Sequence, residues 1–259
     1  MMFDLTILQK YAKRSPSSLP PTLLLTNSET SLTIFDKYPK ATYHFLVLPR
    51  ITADSGFTAD ELENLQTLLA RGKKAEARGL IEGLKKDAQT AKEMVEKEML
   101  KRHGYKWDVW IGFHAVPSLT HLHLHVISSD LCSPSLKHKK HYNSFHPNLG
   151  FFLHVDEVLA WFGQDSASFD QQLMSLQNNL HEPLLKEDLA CWRCRETFKA
   201  MPKLKEHLVR EKGAEASREK KSLQGKKRKR PEEGETGRTE SDREVPSSKR
   251  QAVTNDVDT

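Results

Sequence analysis

The stretch His121-Leu122-His123-Leu124-His125-Val126-Ile127 is the part of this sequence best equipped for chemistry. In a strand, alternate side chains share a face, so the spacing predicts three imidazoles pointing one way, roughly 6 to 7 Å between successive members. Leu122, Leu124 and Val126 would then enter a core. A single histidine is readily absorbed into packing. Three on one strand face are not, because each buried ring needs hydrogen-bond partners. Two chemistries fit the pattern. His-x-His on a strand can present two imidazoles to zinc, or one imidazole can attack phosphorus while its neighbours hydrogen-bond and polarise it.

A second cluster lies downstream, at Cys191-x2-Cys194-x3-Phe198-x5-Leu204-x2-His207-x3-Glu211. This is the spacing of a classical zinc finger with Glu in place of the last histidine. His207 and Glu211 stand four apart on a helix and so project from one face, where they could complete a tetrahedral site with two thiolates. Phe198 and Leu204 would form a core too small to fold without metal. With four ligands the site has no open position, so one structural zinc is expected.

The elements that must position these groups can be read from periodicity. Phe3 to Arg14 reads as a short amphipathic helix carrying Leu5, Leu8 and Tyr11, ended by Ser15-Pro16-Ser17-Ser18-Leu19-Pro20-Pro21. Strand-like runs come next, at Leu23 to Leu25, Leu32 to Phe35 and Tyr43 to Leu48. From Thr58 to about Arg102 the period is helical, with breaks or a loose insertion suggested by Gly72, Gly79 and Gly83. Strand character returns at Trp107 to His114 and Leu119 to Ser128, then helices at Val155 to Phe162 and Phe169 to about Leu180. The fold class expected is α+β: an antiparallel sheet flanked by helices, joined to a small ββα-like finger. The expected divisions are residues 1–18 for the N-terminal helix, 19–165 for the catalytic domain, 166–211 for a helix plus finger, and 212–259 for a disordered charged tail.

Composition bounds the partners. The 259 residues carry a formal charge of +5 and a pI near 9.0, which suits an anionic partner where the basic residues cluster. Three cysteines, two of them in the Cys-x-x-Cys pair, argue against a disulfide framework; Cys132 reads as a small neutral filler. No basic-then-apolar leader and no run long enough to span a bilayer are present, so a soluble intracellular protein with no membrane partner is expected. Lys226-Lys227-Arg228-Lys229-Arg230-Pro231 has the composition of a nuclear-localisation or nucleic-acid patch.

The histidine run resembles the histidine-triad family, whose motif is His-φ-His-φ-His-φ-φ with φ apolar, and every position matches. More of the chain resembles the aprataxin branch of that family: Asp36-Lys37-Tyr38-Pro39-Lys40-Ala41, Tyr43-His44, Leu46-Val47-Leu48-Pro49, His114 to Ser118, His125-Val126-Ile127-Ser128, Leu136-Lys137-His138-Lys139-Lys140-His141 and Asn143-Ser144-Phe145. That branch removes AMP from DNA 5′ ends left adenylated by failed ligation. The resemblance implies that His123 is the nucleophile and forms a covalent AMP adduct. It further implies that His125 orients His123 or donates to phosphate, that His121 fixes the array, that Ser118 donates to phosphate oxygen, and that His114 protonates the leaving 5′-phosphate.

By the same resemblance Asp36 would accept from the ribose hydroxyls, and Leu25 and Phe35 would wall the adenine. Lys40, Lys137, Lys139, Lys140 and His141 would meet DNA phosphates, with Tyr11 against the terminal base pair. Lys199, Lys203, Lys205 and Arg210 of the finger helix favour backbone contact. The expected partner is DNA with an adenylated 5′ end, at a nick or a double-strand end, with AMP as product and no metal at the catalytic centre. A monomer in the nucleus, lacking a forkhead-associated domain, completes the expectation. Two other functions use the same residues: a triad hydrolase of small nucleotides or phosphoramidates, and a zinc-finger DNA-binding protein without catalysis.

Overall fold

The computed structural model describes residues 4–70, 72–176 and 178–228. Strands β1 (Leu24–Asn27), β2 (Ser31–Phe35), β3 (His44–Pro49), β4 (Val109–His114), β5 (Leu124–Ser128) and β6 (Phe152–His154) form one antiparallel sheet in the order β1-β2-β3-β5-β4-β6. The helices are α1 (Ile7–Ala12), α2 (Leu65–Ala70), α3 (Lys74–His103), α4 (Lys139–Asn143), α5 (Val155–Trp161), α6 (Ser166–Ser175) and α7 (Asn178–His181). A hairpin of β7 (Leu189–Ala190) and β8 (Thr197–Phe198) precedes α8 (Met201–Arg228), giving the ββα unit expected of the finger.

The period-two alternation of the central strands sorts the chain into two faces. Phe45 and Val47 of β3, with Leu124 and Val126 of β5, pack against Ile81, Leu84, Ala88, Ala91, Val95 and Met99 of α3. The intervening His44 and His125 lie on the opposite face, where Ile127, Tyr142, Phe145 and Phe152 join a second core that includes Leu189, Cys191 and Leu204 of the finger. The finger is thus packed into the domain that carries the histidines. Leu8 of α1 sits in a third cluster with Leu32, Ile34, Leu46 and Leu48, which docks the helix on the sheet.

Three elements depart from the sequence reading. The helical stretch breaks at Gly72, which takes φ +73, but α3 runs unbroken through Gly79 and Gly83 until Gly104, left-handed at φ +77, closes it on the Leu100 carbonyl. β5 starts at Leu124 and not at Leu119, because His121 adopts φ +104 and leaves the strand conformation. Helix α8 continues to Arg228, 17 residues past Glu211, in place of the disordered tail expected there. Its residues beyond the finger are mostly good helix formers, and their lack of apolar side chains disguises them as coil. The rest of the expected tail, with Lys229 to Pro231, lies outside the described residues, as do residues 1–3.

Candidate active site

Four imidazoles converge beside the aromatic ring of Phe145. The ring of His125 lies 4.3 Å from that of His114, 4.9 Å from His123 and 5.2 Å from His44, centre to centre. Phe145 stands edge-on to His44 and His125 at 5.1 Å each and 4.5 Å from His114. The sheet register makes this possible: β5 pairs on one side with β3, which brings His44, and on the other with β4, which places Gly112 opposite His125. Gly112 must be glycine, since a Cβ there would come within 2.6 Å of the Phe152 ring and 2.5 Å of the Leu153 carbonyl oxygen. That ring closes the cluster from the β6 side.

Hydrogen-bond logic fixes the protons. Nδ1 of buried His123 lies 2.8 Å from the carbonyl oxygen of His121. A carbonyl can only accept, so Nδ1 carries the hydrogen and Nε2 of the neutral ring keeps its lone pair. Burial pulls the His123 pKa below its ordinary value, against the opposing pull of that carbonyl, so the ring is neutral at pH 7.

A second chain of bonds begins at the Lys40 backbone N–H, which donates to Nδ1 of His44 at 3.3 Å. Nε2 of His44 must then hold a hydrogen, and it lies 3.0 Å from Nδ1 of His125. His125 in turn carries its hydrogen on Nε2, which is buried and has no protein partner. The array therefore presents one imidazole lone pair and one unspent N–H donor. Burial holds His44 down to about 4 and His125 well below the ordinary range, so neither competes as a cation. Nε2 of His114 is likewise buried without a protein partner, and burial also keeps His114 neutral.

His121 acts differently from the strand-face imidazole that its spacing predicts. Its Nε2 donates to the Pro49 carbonyl oxygen at 2.8 Å, and its backbone N–H donates to the Glu63 carbonyl oxygen at 3.0 Å. With Leu122 N–H on the Leu62 carbonyl oxygen at 2.7 Å, these bonds hold the φ +104 turn that aims the His121 carbonyl at His123. His121 thus contributes through its backbone. His44 and Phe145 stand in the sequence only within stretches of resemblance, and β6 gives too short a signal to place Phe152.

Around this cluster, Asp36 accepts from the Tyr38 backbone N–H at 2.6 Å and brings its second carboxylate oxygen to 3.6 Å from His44 Nδ1. Phe35, 40% exposed, leans on Phe45 at 5.2 Å between ring centres, whereas Leu25 packs against the main core. Ser118 is exposed in the loop between β4 and β5. Lys40 is half-buried and its Nζ donates to the Tyr38 carbonyl, with its pKa lowered by burial. Lys137 and Lys140 are exposed on the segment after the histidines, and His141 beside them is held down to about 4 by burial and then by Lys40.

Lys139 is occupied elsewhere, donating to the Lys186 carbonyl oxygen at 2.9 Å and to Asp188 at 3.2 Å, which ties α4 to the finger's approach. Tyr11 is half-buried against the core that holds Leu8.

In the finger, the Sγ atoms of Cys191 and Cys194 and a ring nitrogen of His207 lie within 4.8 Å of one another. The Cys191 carbonyl oxygen accepts from the Arg195 N–H at 2.8 Å, with Arg195 at φ +64, the tight knuckle that turns both thiols inward. Nε2 of His207 is 3.2 Å from Cys194 Sγ and 3.9 Å from a Glu211 carboxylate oxygen, while its Nδ1 lies 3.4 Å from Glu196. Two thiolates and an imidazole held from behind by a carboxylate make a donor set suited to structural zinc.

Fold and site together define a histidine-triad domain fused to a zinc-binding finger. Residues 6–141 match the family described as scavenger mRNA decapping enzyme C-term binding, and residues 148–212 match the C2HE / C2H2 / C2HC zinc-binding finger. The chain belongs to this histidine-triad family and, within it, to the aprataxin branch. It is 35% identical over 190 residues to the aprataxin of Gallus gallus, covering 73% of this chain and 50% of that protein, so it spans half the length of that relative. The aprataxin ortholog Hnt3 in complex with DNA superposes with a TM-score of 0.58 at 27% identity, over 80% of this chain and 94% of that one. Hnt3 in complex with DNA and guanosine gives a TM-score of 0.56 at the same identity and coverage.

Proposed function

We propose that this chain is a DNA-repair hydrolase that removes AMP from adenylated DNA 5′ ends. The observation that carries the proposal is the bond from His123 Nδ1 to the His121 carbonyl, which leaves Nε2 as a neutral nucleophile inside a cluster of hydrogen-bond donors. Nε2 attacks the α-phosphorus of the adenylate; the P–N bond forms as the bond to the DNA 5′-phosphate oxygen breaks. The unspent Nε2–H of His125, with Ser118, stabilises charge on the non-bridging oxygens. His114 delivers a proton to the departing phosphate, and the approaching anion raises its proton affinity from the depressed value of the empty site. Water then attacks the same phosphorus and gives its proton back to His114, the P–N bond breaks, and AMP leaves with the neutral His123 ring restored.

Asp36 receives the ribose hydroxyls and Phe35 stacks beside the base. Lys40, Lys137, Lys140 and His141 meet the phosphate backbone, which gives affinity without sequence preference. One zinc, held by Cys191, Cys194, His207 and Glu211, keeps the finger folded and takes no part in the reaction. The protein works in the nucleus as a monomer, on nicks or double-strand ends.

The likeness to Hnt3, solved with DNA and with guanosine, supports both halves of this reading. The test compares turnover of adenylated nicked DNA with that of a dinucleotide polyphosphate. A preference for the nick by about tenfold or more is expected; equal or better turnover of the small molecule would reassign the chain as a small-nucleotide hydrolase.

A further inference from the structure

Helix α8 outruns the finger it belongs to. The zinc-binding residues end at Glu211, yet the helix continues from Lys212 to Arg228, about 24 Å at 1.5 Å per residue. The first turns of this extension are fixed to the body. Lys212 Nζ lies 3.4 Å from the buried Asp130 carboxylate and 4.3 Å from the Trp107 ring, Glu215 pairs with Arg193 at 2.7 Å, and Ala216 packs against the main core. The catalytic domain therefore sets the direction in which the rest of the helix projects.

Past Ala216 the sequence of the extension is rich in charge, and Leu223 is the one large apolar residue between Ser217 and Arg228. Between Lys212 and Arg230 stand nine basic residues and two acidic ones, and one of those acids, Glu215, is already paired. From Pro231 to the end the sign reverses, with eight acidic residues to four basic. The cations are thus a bounded segment and not a generally basic tail. A helix with so few apolar residues and so many like charges gains nothing by folding onto the body, and its like-charged neighbours repel until an anion screens them.

The start of the helix also borders a cleft. It measures about 780 Å³, lies between α8 and the segment after the histidines, and is lined by Leu136, Lys137, Lys205, Glu206, Val209 and Arg210.

We propose that residues 218–228 of α8 form a second nucleic-acid-binding arm, which lies on duplex DNA phosphates beyond the footprint of the finger. The arm rests on the proposed action at DNA ends and extends it: about 15 Å of helix from residue 218 to 228 matches about four to five base pairs of duplex, so it selects ends that belong to long duplexes. It supplies affinity and processive contact, and touches no reacting atom.

The test replaces Lys220, Lys221, Lys226, Lys227 and Arg228 with Gln in the full chain and titrates it with unadenylated DNA duplexes of about ten and about thirty base pairs. With the long duplex, the slope of log affinity against log salt is expected to shrink by about two to four units, at about 0.9 per phosphate contact. With the short one it stays as in the parent protein. Metal content and AMP release from a short adenylated duplex are expected to be unchanged, which separates loss of the arm from damage to the finger.

An unchanged slope on the long duplex overturns the proposal, including the case in which the variant merely fails to accumulate in nuclei. Equal losses on both lengths overturn it as well. Absence of AMP release by the parent protein would count against the hydrolase reading alone, because the titration reads the arm without it.

Discussion

The histidine cluster and the zinc module are both small constellations of polar side chains, but they are held by opposite means. The imidazoles sit on the middle strands of a six-stranded sheet, backed by α3 on one face and roofed by Phe145 and Phe152 on the other. Their protons are set by protein hydrogen bonds before any ligand arrives. The finger owns two two-residue strands and the start of one helix, and its ligand atoms converge because a metal would hold them. One site is preorganised by the fold; the other organises its part of the fold.

The sharpest way to break this comparison is at the nucleophile. His123→Ala removes the imidazole whose lone pair is free to attack, and AMP release is expected to fall by at least about 10⁴-fold. Duplex binding and melting temperature should change little, because the finger and the exposed Lys137 and Lys140 stay intact. Single-turnover assays beside a binding titration check this, and loss of binding in parallel would assign the residue to structure.

A smaller loss is expected at the head of the relay. His44→Ala leaves Nδ1 of His125 without its donor, so the ring can flip its tautomer and lose the unspent Nε2–H. By comparison with other misplaced tautomers, the rate should drop about 10² to 10³-fold with KM nearly unchanged. His44→Gln, whose amide can still donate, should recover part of that loss. Equal rates in both variants would show that His44 only fills space.

Zinc removal sharpens the other half. Cys194→Ser, or a strong chelator, is expected to unfold the finger and weaken duplex binding about tenfold or more. Turnover of a small adenylated substrate should persist at a reduced level, since the sheet does not depend on the metal. Complete loss of turnover on the small substrate would mean that the two constellations are one cooperative unit, coupled through contacts such as Lys212 with Asp130 and the edge-on pair Trp110 and Trp192.

The last effect is on stability in acid and not on rate. His44 and His121 are neutral in the fold, with values held down to about 4, whereas an unfolded imidazole titrates near 6.5. Between those values the unfolded chain binds more protons, so stability falls as pH drops from about 6.5 towards 4, by up to about 1.4 kcal/mol per pH unit for each such ring. Above about 6.5 these rings contribute no pH dependence. Denaturant melts at pH 7.5 and pH 5 would measure the slope, and a flat profile would mean that the rings are hydrated and chargeable in the fold.

How much of this was legible depended on whether the determinant was local. Seven residues from His121 to Ile127 and the spacing from Cys191 to Glu211 announced both constellations, because strand and helix periods place side chains without reference to the rest of the chain. The relay was not local: His44 and His125 meet from 81 residues apart, through a strand pairing that no spacing rule encodes. Nor could spacing reveal that His121 leaves the strand, since its positive φ is imposed by backbone partners at Leu62 and Glu63. The α8 extension was hidden for a third reason. Charge density and helix propensity point in opposite directions there, and in the fold propensity prevails.

The proposed P–N bond at Nε2 of His123 is the step on which every other assignment depends. Incubating the full chain with DNA bearing a radiolabelled 5′-adenylate, quenching in base to preserve phosphoramidates and mapping the labelled peptide addresses it directly. AMP linked to His123 is the expected result. Label on any other side chain, or turnover with no adduct under conditions that preserve a P–N bond, would contradict it.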